Sequence, residues 1–326
     1  MRYLIWVMVF LSVSPYWGKA QYAPAAGQPG TTAIRKDSSI FVAWATGCEV
    51  VRGPVDITDP DGEKASYGDE TDALGMAQGN SADVVSLGDG GQATLTFDVQ
   101  IADGDGWDFA VFENALNDTF LELAFVQVSS NGVDFYTFPA ISLTQDSTQV
   151  PAFGQVDCTR IDNLAGKYRQ GYGTPFDLAV FCECGHPDLQ HITHVRIVDA
   201  VGCIDDEYAT FDSQGHKIND PWPTPFETGG FDLDAVGVIH TSGSGIHDRE
   251  MSFVVCPNPF EERFTVKLTN GNKVSLSLYS PDRLLLMQKE TTSVAAFDLP
   301  FSPPGIYFLE MNDGKNVFVG KIIKSK

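Results

Sequence analysis

Short apolar or alternating runs, each closed off by turn-forming residues, limit most strongly what this chain can fold into. They recur at 40–45, 93–99, 109–112, 121–128, 133–138, 176–181, 192–198 and 231–239, with Gly, Asp, Asn and Pro between them. Thr94-Leu95-Thr96-Phe97 and Val126-Gln127-Val128-Ser129 alternate residue by residue, so each strand shows one face to a core and one to water. Helical periodicity is nearly absent. The spacing therefore predicts an all-β chain, with a sandwich rather than βαβ units. Asn131-Gly132, set between two such runs, is the strongest hairpin signal in the chain. One large domain over 21–240 accounts for these runs.

The ends carry different information. Arg2 precedes an apolar run of eleven residues, 3–13, too short to cross a bilayer, which takes about 20 residues. Gly18-Lys19-Ala20 follows, and the pattern predicts an export signal over 1–20 that is cleaved after Ala20. No later stretch is apolar enough to predict a membrane span. Thr241-Ser242-Gly243-Ser244-Gly245 reads as the start of a flexible linker, 241–251. Beyond it the composition shifts toward lysine, and 252–326 reads as a second, small sandwich.

Charge narrows the partners. The chain carries a net −22, concentrated in 21–251, where ten basic residues face 36 acidic ones. Such a field repels nucleic acid and anionic lipid and favours bound cations and cationic or neutral ligands. Six cysteines, an even number, predict disulfides in an exported protein, with the pairing left open. Cys182-Glu183-Cys184-Gly185-His186, followed by His191 and His194, lacks the Cys-x-x-Cys spacing of zinc sites and is read as structural.

Two groups of residues are candidates for a site. Asp103, Asp105 and Asp108 lie in a glycine-rich turn, where carboxylates converge on a hard cation, calcium being the expected one. Glu113 is a further candidate ligand. Asp232 and Asp234, two apart on a strand, share a face and repel unless a cation or arginine intervenes. Solvated turn acids fit the same pattern. The second group lies in the long stretch 208–230, which holds Tyr208, Phe211, Trp222 and Phe226 among Pro221, Pro223 and Pro225. Loops of that length are functional or disordered, and the prolines stiffen this one before a ligand arrives. Trp222, Phe226 and Tyr208, with Tyr172 from the 167–173 turn, are expected to stack on a sugar ring or another apolar ligand face. Covering the edge of the sandwich is the alternative for Trp222 and Phe226. No Gly-x-Ser-x-Gly elbow, His-Glu-x-x-His helix, phosphate loop or dinucleotide fingerprint occurs in the sequence, so a binding protein is expected rather than an enzyme. A glycosidase carboxylate pair remains the catalytic alternative.

Two resemblances sharpen these expectations. Val255-Cys256-Pro257-Asn258-Pro259-Phe260, then Pro304-Gly305-Ile306-Tyr307-Phe308-Leu309, then Lys321-Ile322-Ile323-Lys324 resemble the C-terminal sorting domain of the type IX secretion system of Bacteroidetes. Cys256 stands where that family usually has an aromatic residue. The resemblance implies an Ig-like sandwich recognised by the type IX machinery. It also implies passage through the periplasm to the extracellular space or outer-membrane surface. The segments 85–91, 107–114, 122–132 and 230–236 resemble bacterial cell-surface proteins of uncharacterised function that look like discoidin or carbohydrate-module jelly rolls. That resemblance implies a jelly-roll-like domain that captures a glycan or small nutrient, with an outer-membrane receptor as a further partner. A structural or adhesive protein without a small ligand is the runner-up.

Overall fold

The computed structural model describes residues 22–181, 187–242, 253–268, 273–280, 284–312 and 317–325. Residues 1–20, expected to be an export signal, together with Cys182, Cys184, His186 and most of the expected linker, fall outside these residues. In chain order the strands of the first unit are β1 (Ile34–Arg35), β2 (Ala43–Trp44), β3 (Gly47–Val51), β4 (Val85–Ser86), β5 (Gln92–Ile101), β6 (Phe109–Glu113) and β7 (Ala124–Ser129). They continue with β8 (Tyr136–Thr137), β9 (Ile141–Ser142), β10 (Ile161–Asp162), β11 (Tyr172–Phe176), β12 (Ile192–Asp199) and β13 (Asp232–Val238). One sheet runs β1-β11-β6-β13-β2, with β4 also on β13, and the facing sheet runs β3-β5-β12-β7-β8. Among the long strands β5, β6, β7, β11, β12 and β13, each successive one lies in the other sheet. The fold is an all-β sandwich.

Alternation in the sequence becomes alternation in burial where one face of a strand is exposed. Ala93 and Leu95 on β5, and Ala124, Val126 and Val128 on β7, enter the core, while Thr94, Thr96 and Gln127 are only half-buried. Strands β6 and β13 are buried at every position because both of their faces are covered. Phe109, Val111, Leu233, Val236 and Val238 face the inter-sheet core. Ala110, Phe112 and Ala235 lie in a separate cluster under Phe41 and Trp44. A register shift between Leu233 and Ala235 moves the inward face of β13 from the odd positions to Val236 and Val238, as a bulge does. Phe109 stacks on Phe176 at 5.4 Å, and Phe138 meets Phe176 edge-on at 5.0 Å.

Several local expectations are corrected. The 176–181 run is not a strand: β11 ends at Phe176, and Leu178–Phe181 is a 3-10 turn. Asp177 turns the chain there by accepting the amide of Ala179. The Asn131-Gly132 hairpin joins β7 to β8, but the loop is longer than two residues. Asn131 holds it by accepting the amides of Val133 and Asp134. The disulfide expectation is corrected for Cys48, Cys158 and Cys203, which carry free thiols, while Cys256 is disulfide-bonded. Cys158 packs as a small apolar residue beside Val156, Ile161 and Leu164, as buried thiols do. Thr241 and Ser242 are still bonded to the end of β5 through Ile101 and Gln100.

A further apolar cluster, with Leu121, Leu123, Val150, Ile161 and Ile218, lies beneath the 136–170 excursion and the 200–231 loop. It anchors the irregular segments that carry the candidate site.

The second unit contains β14 (Phe253–Cys256), β15 (Arg263–Leu268), β16 (Val274–Tyr279), β17 (Leu285–Thr291), β18 (Val294–Asp298), β19 (Gly305–Asn312) and β20 (Val317–Lys324). Sheets β14-β15-β18 and β17-β16-β19-β20 enclose a core of Phe260, Phe264, Leu276, Leu278, Phe297, Tyr307, Leu309 and Ile322.

Candidate functional site

The aspartate-rich turn before β6 is only partly the constellation expected. Asp103 and Asp108 come together, and the third member is Asp177, while Asp105 is exposed to solvent. One carboxylate oxygen from each of Asp103, Asp108 and Asp177 lies within 4.8 Å of the others. Strand register brings Asp177 there: Phe176 pairs with Phe109, so the residues flanking that pair, Asp177 and Asp108, also become neighbours. Asp108 is fully buried. Its Oδ1 accepts the Gly104 amide at 2.8 Å and lies 2.9 Å from His240 Nδ1, while Oδ2 accepts the Leu178 amide at 2.7 Å. Burial still pushes its carboxyl up to about 8. Asp103, pushed up to about 7 by burial and then by Asp108, has a buried Oδ1 with no hydrogen-bond partner. An all-oxygen set with one orphaned acceptor fits a hard cation.

The acids near β13 are held separately. Asp234 accepts the amides of Gln78 and Gly79, each at 2.8 Å. Asp232 accepts from Ser86 Oγ and, at 2.8 Å, from Asn114 Nδ2. Glu113 accepts the Ala115 amide with Oε2 and leaves Oε1 buried and unpartnered. Beyond them, a cavity of about 10 Å³ is lined by Asp89, Glu122, Asp199 and Asp220 together with Gly202, Thr224 and Gly230. Nothing in the linear sequence groups these four acids. They meet because Asp199 pairs with Ala124 across β12 and β7 and because Asp220 accepts the Leu123 amide at 2.7 Å.

The aromatic candidates divide in the same way. Trp222 is half-buried, and its Nε1 donates to Asp89 Oδ2 at 3.1 Å. Phe226 is 48% exposed and Phe153 78% exposed. Their ring centroids are 6.3 Å apart, and Phe153 stacks in turn on Phe120, again at 6.3 Å. Phe120 is half-buried, so the three phenyl rings, contributed by three separate loops, form a row that is exposed at Phe153 and Phe226. Tyr208 is half-buried, and Tyr172 begins β11 with the Arg169 guanidinium 4.8 Å over its ring. Among the described residues no ring contact joins either tyrosine to Trp222 or Phe226. The 150–155 loop that presents Phe153 also borders a cleft of about 330 Å³, lined by Leu143, Thr144, Gln145, Val150, Gln155, Asp157 and Arg160. Thr144 Oγ1 is buried there without a partner.

In the C-terminal unit the three sequence landmarks converge. Asn258 Oδ1 accepts the Ile323 amide at 2.8 Å, and its Nδ2 donates to Lys321 O at 3.3 Å. Phe260 and Ile323 are further joined by a backbone bond of 2.9 Å. Phe260 packs on Phe264 at 4.9 Å and on Tyr307 at 6.4 Å. Tyr307 donates its hydroxyl to Pro303 O at 2.6 Å. The Pro-Asn-Pro-Phe turn is therefore fastened to the last strand and to the tyrosine of the Pro-Gly-Ile-Tyr segment. Residues 254–325 match the family model described as "Secretion system C-terminal sorting domain". They are a type IX sorting domain.

The sorting domain makes this a secreted protein exported by the type IX system to the cell surface or extracellular space. Among the described residues no helix is long and apolar enough to cross a membrane. No curated protein matches the chain. Similar solved structures include a biofilm-associated protein BSP domain, at 11% identity and a TM-score of 0.20, covering 72% of this chain and 48% of that one. They also include β-glucuronidases from Ruminococcus gnavus (10% identity, TM-score 0.21, 72% and 36% covered) and Parabacteroides merdae (13%, 0.24, 86% and 35%). The chain spans less than half the length of each of these structures. Scores this low carry no functional argument.

Proposed function

We propose that the domain preceding the sorting domain is a surface binding module, which captures a glycan or small nutrient on the Phe120–Phe153–Phe226 row and the adjoining cleft. The observation that carries this reading is the row itself. An isolated exposed apolar side chain needs no explanation, whereas contiguous exposed rings mark interaction sites. Flat rings stack on the apolar face of a sugar or similar ligand. The cleft volume falls within the usual range for ligand pockets, about 300–1,000 Å³. Gln145, Gln155, Asp157 and Arg160 supply polar groups at its wall, and the orphaned Thr144 hydroxyl awaits a partner. An outer-membrane receptor is the expected recipient of the ligand.

Calcium at Asp103, Asp108 and Asp177 belongs to the same proposal, in a structural role. A bound divalent ion neutralises the mutual repulsion of the three carboxylates and holds the 103–108 turn against the end of β11. The carboxylate cavity supports binding rather than hydrolysis. It has room for one ion or water, not for a sugar ring flanked by a catalytic pair. A glycan array and a small-molecule thermal-shift screen on the secreted chain test the proposal, with the Phe153→Ala variant alongside. The expected outcome is a ligand whose capture weakens by more than about 1 kcal/mol in the variant. Undiminished capture by Phe153→Ala rejects the row as the site.

A further inference from the structure

The six cysteines of the sequence do not share one fate. Cys48, Cys158 and Cys203 are free thiols, whereas Cys256, at the end of the first strand of the sorting domain, is disulfide-bonded. Its partner is therefore one of the two cysteines outside the described residues, Cys182 and Cys184, and both belong to the preceding domain. Packing points the same way. Phe253 and Val255 lie against the sorting-domain core, so the alternate positions of β14, Val254 and Cys256, point away from it. The 3-10 turn Leu178–Phe181 of the first domain lies against β14. Cys182 follows that turn directly, and Cys184 is three residues beyond Phe181. Three residues extend a chain by at most about 11 Å, so the turn delivers both cysteines to the range in which a disulfide to β14 can close.

We propose that a disulfide from Cys256 to Cys182 or Cys184 staples the sorting domain to the domain it exports, so that the two stay covalently joined when the chain between them is cut. Any cut between 185 and 255, the expected 241–251 linker included, leaves both pieces in one molecule until the bond is reduced. The staple forms by exchange with a disulfide-bearing oxidant, the class of reagent found in the oxidising compartments through which exported chains pass. One thiolate attacks the oxidant's disulfide to give a mixed disulfide, and the second thiolate displaces the oxidant. The two cysteines give up two protons and two electrons, and the oxidant leaves as a dithiol. Burial pushes the thiols of Cys48, Cys158 and Cys203 up, which keeps them protonated and out of this exchange. The staple gives a role to Cys256, which stands where the type IX family usually has an aromatic residue, and it depends neither on ligand capture nor on calcium.

The full chain, with a site-specific protease sequence inserted after Gly243 and oxidised in a buffer of reduced and oxidised glutathione, tests the proposal. After cutting and alkylation of free thiols, a denaturing gel without reductant should show one species of full mass, and a gel with reductant should show two fragments. Cys256→Ser should give two fragments under both conditions, and so should the double substitution Cys182→Ser with Cys184→Ser. Separation of the wild-type fragments without reductant overturns the staple, as does their retention in Cys256→Ser or a species of twice the mass that reductant dissolves. Should either variant fail to fold, peptide mapping of the unreduced wild type by mass spectrometry still decides. A peptide holding Cys256 linked to one holding Cys182 or Cys184 supports the staple, and Cys256 found alkylated or linked elsewhere rejects it.

Discussion

Asp199 accepts two backbone amides and is still pushed up to about 8, because burial and the neighbouring Asp89 outweigh those bonds. Asp89 and Asp103 are likewise raised, to about 6 and about 7. A carboxyl raised in the folded state binds more protons there than in the unfolded chain. Its contribution to stability is therefore fully present below about pH 4 and is lost as pH rises through the folded value. Each tenfold rise in proton affinity is worth about 1.4 kcal/mol, so the calcium-free protein should melt at a lower temperature at pH 8 than at pH 5. Saturating calcium should flatten that slope, and melts in chelator and in calcium across this range check both halves. Substitutions on the aromatics separate surface from support. Phe153→Ala should leave stability within about 0.5 kcal/mol. Trp222→Ala should cost less than the roughly 3–5 kcal/mol of a fully buried tryptophan, yet clearly more than Phe153→Ala, since it also leaves Asp89 without its indole donor. Denaturant melts of the two variants measure the difference. The sequence singled out Trp222 because of its size and flanking prolines. It gave no sign of Phe153, a lone ring whose importance arises only when the 120, 153 and 226 loops converge.

Local chemistry was legible at the level of elements wherever one face of a strand meets water, as on β5 and β7. It was less so for β6 and β13, where burial on both faces removes alternation, and the bulge in β13 left no signature. The 176–181 run misled because Asp177 stops the strand through a side-chain bond that apolar patterning does not register. The 200–231 loop depends on a close approach: a Cβ at Gly202 would stand 1.8 Å from Asp220 Oδ1. Gly202→Ala should therefore cost about 1–3 kcal/mol by overpacking and speed amide exchange across 200–231, which exchange mass spectrometry would register. In the sorting domain, Asn258→Ala removes the two bonds to the last strand and should cost about 1–3 kcal/mol at roughly 0.5–1.5 per bond. Thermal melts of the full chain and the amount of protein reaching the medium give the two readouts.

The sorting domain was readable at the scale of the whole molecule because its landmarks are short, contiguous and close to the end of the sequence. The passenger's topology was not readable, since its long strands alternate between sheets and each functional cluster draws residues from distant segments. Asp108 meets Asp177, and Asp89 meets Asp220, only through pairings that no local window contains. Deleting 252–326 should leave the passenger in the periplasm, as cell fractionation would show, and normal surface delivery of the truncated chain would contradict the sorting role. The central claim, capture of a ligand on the phenyl row, is tested most directly by a glycan and small-molecule array. It would be probed in parallel with the secreted wild type and with a variant carrying Phe120→Ala, Phe153→Ala and Phe226→Ala. The account predicts a ligand retained by wild type and lost at least tenfold in a variant that still folds; equal retention by both proteins, or none by either, would contradict it.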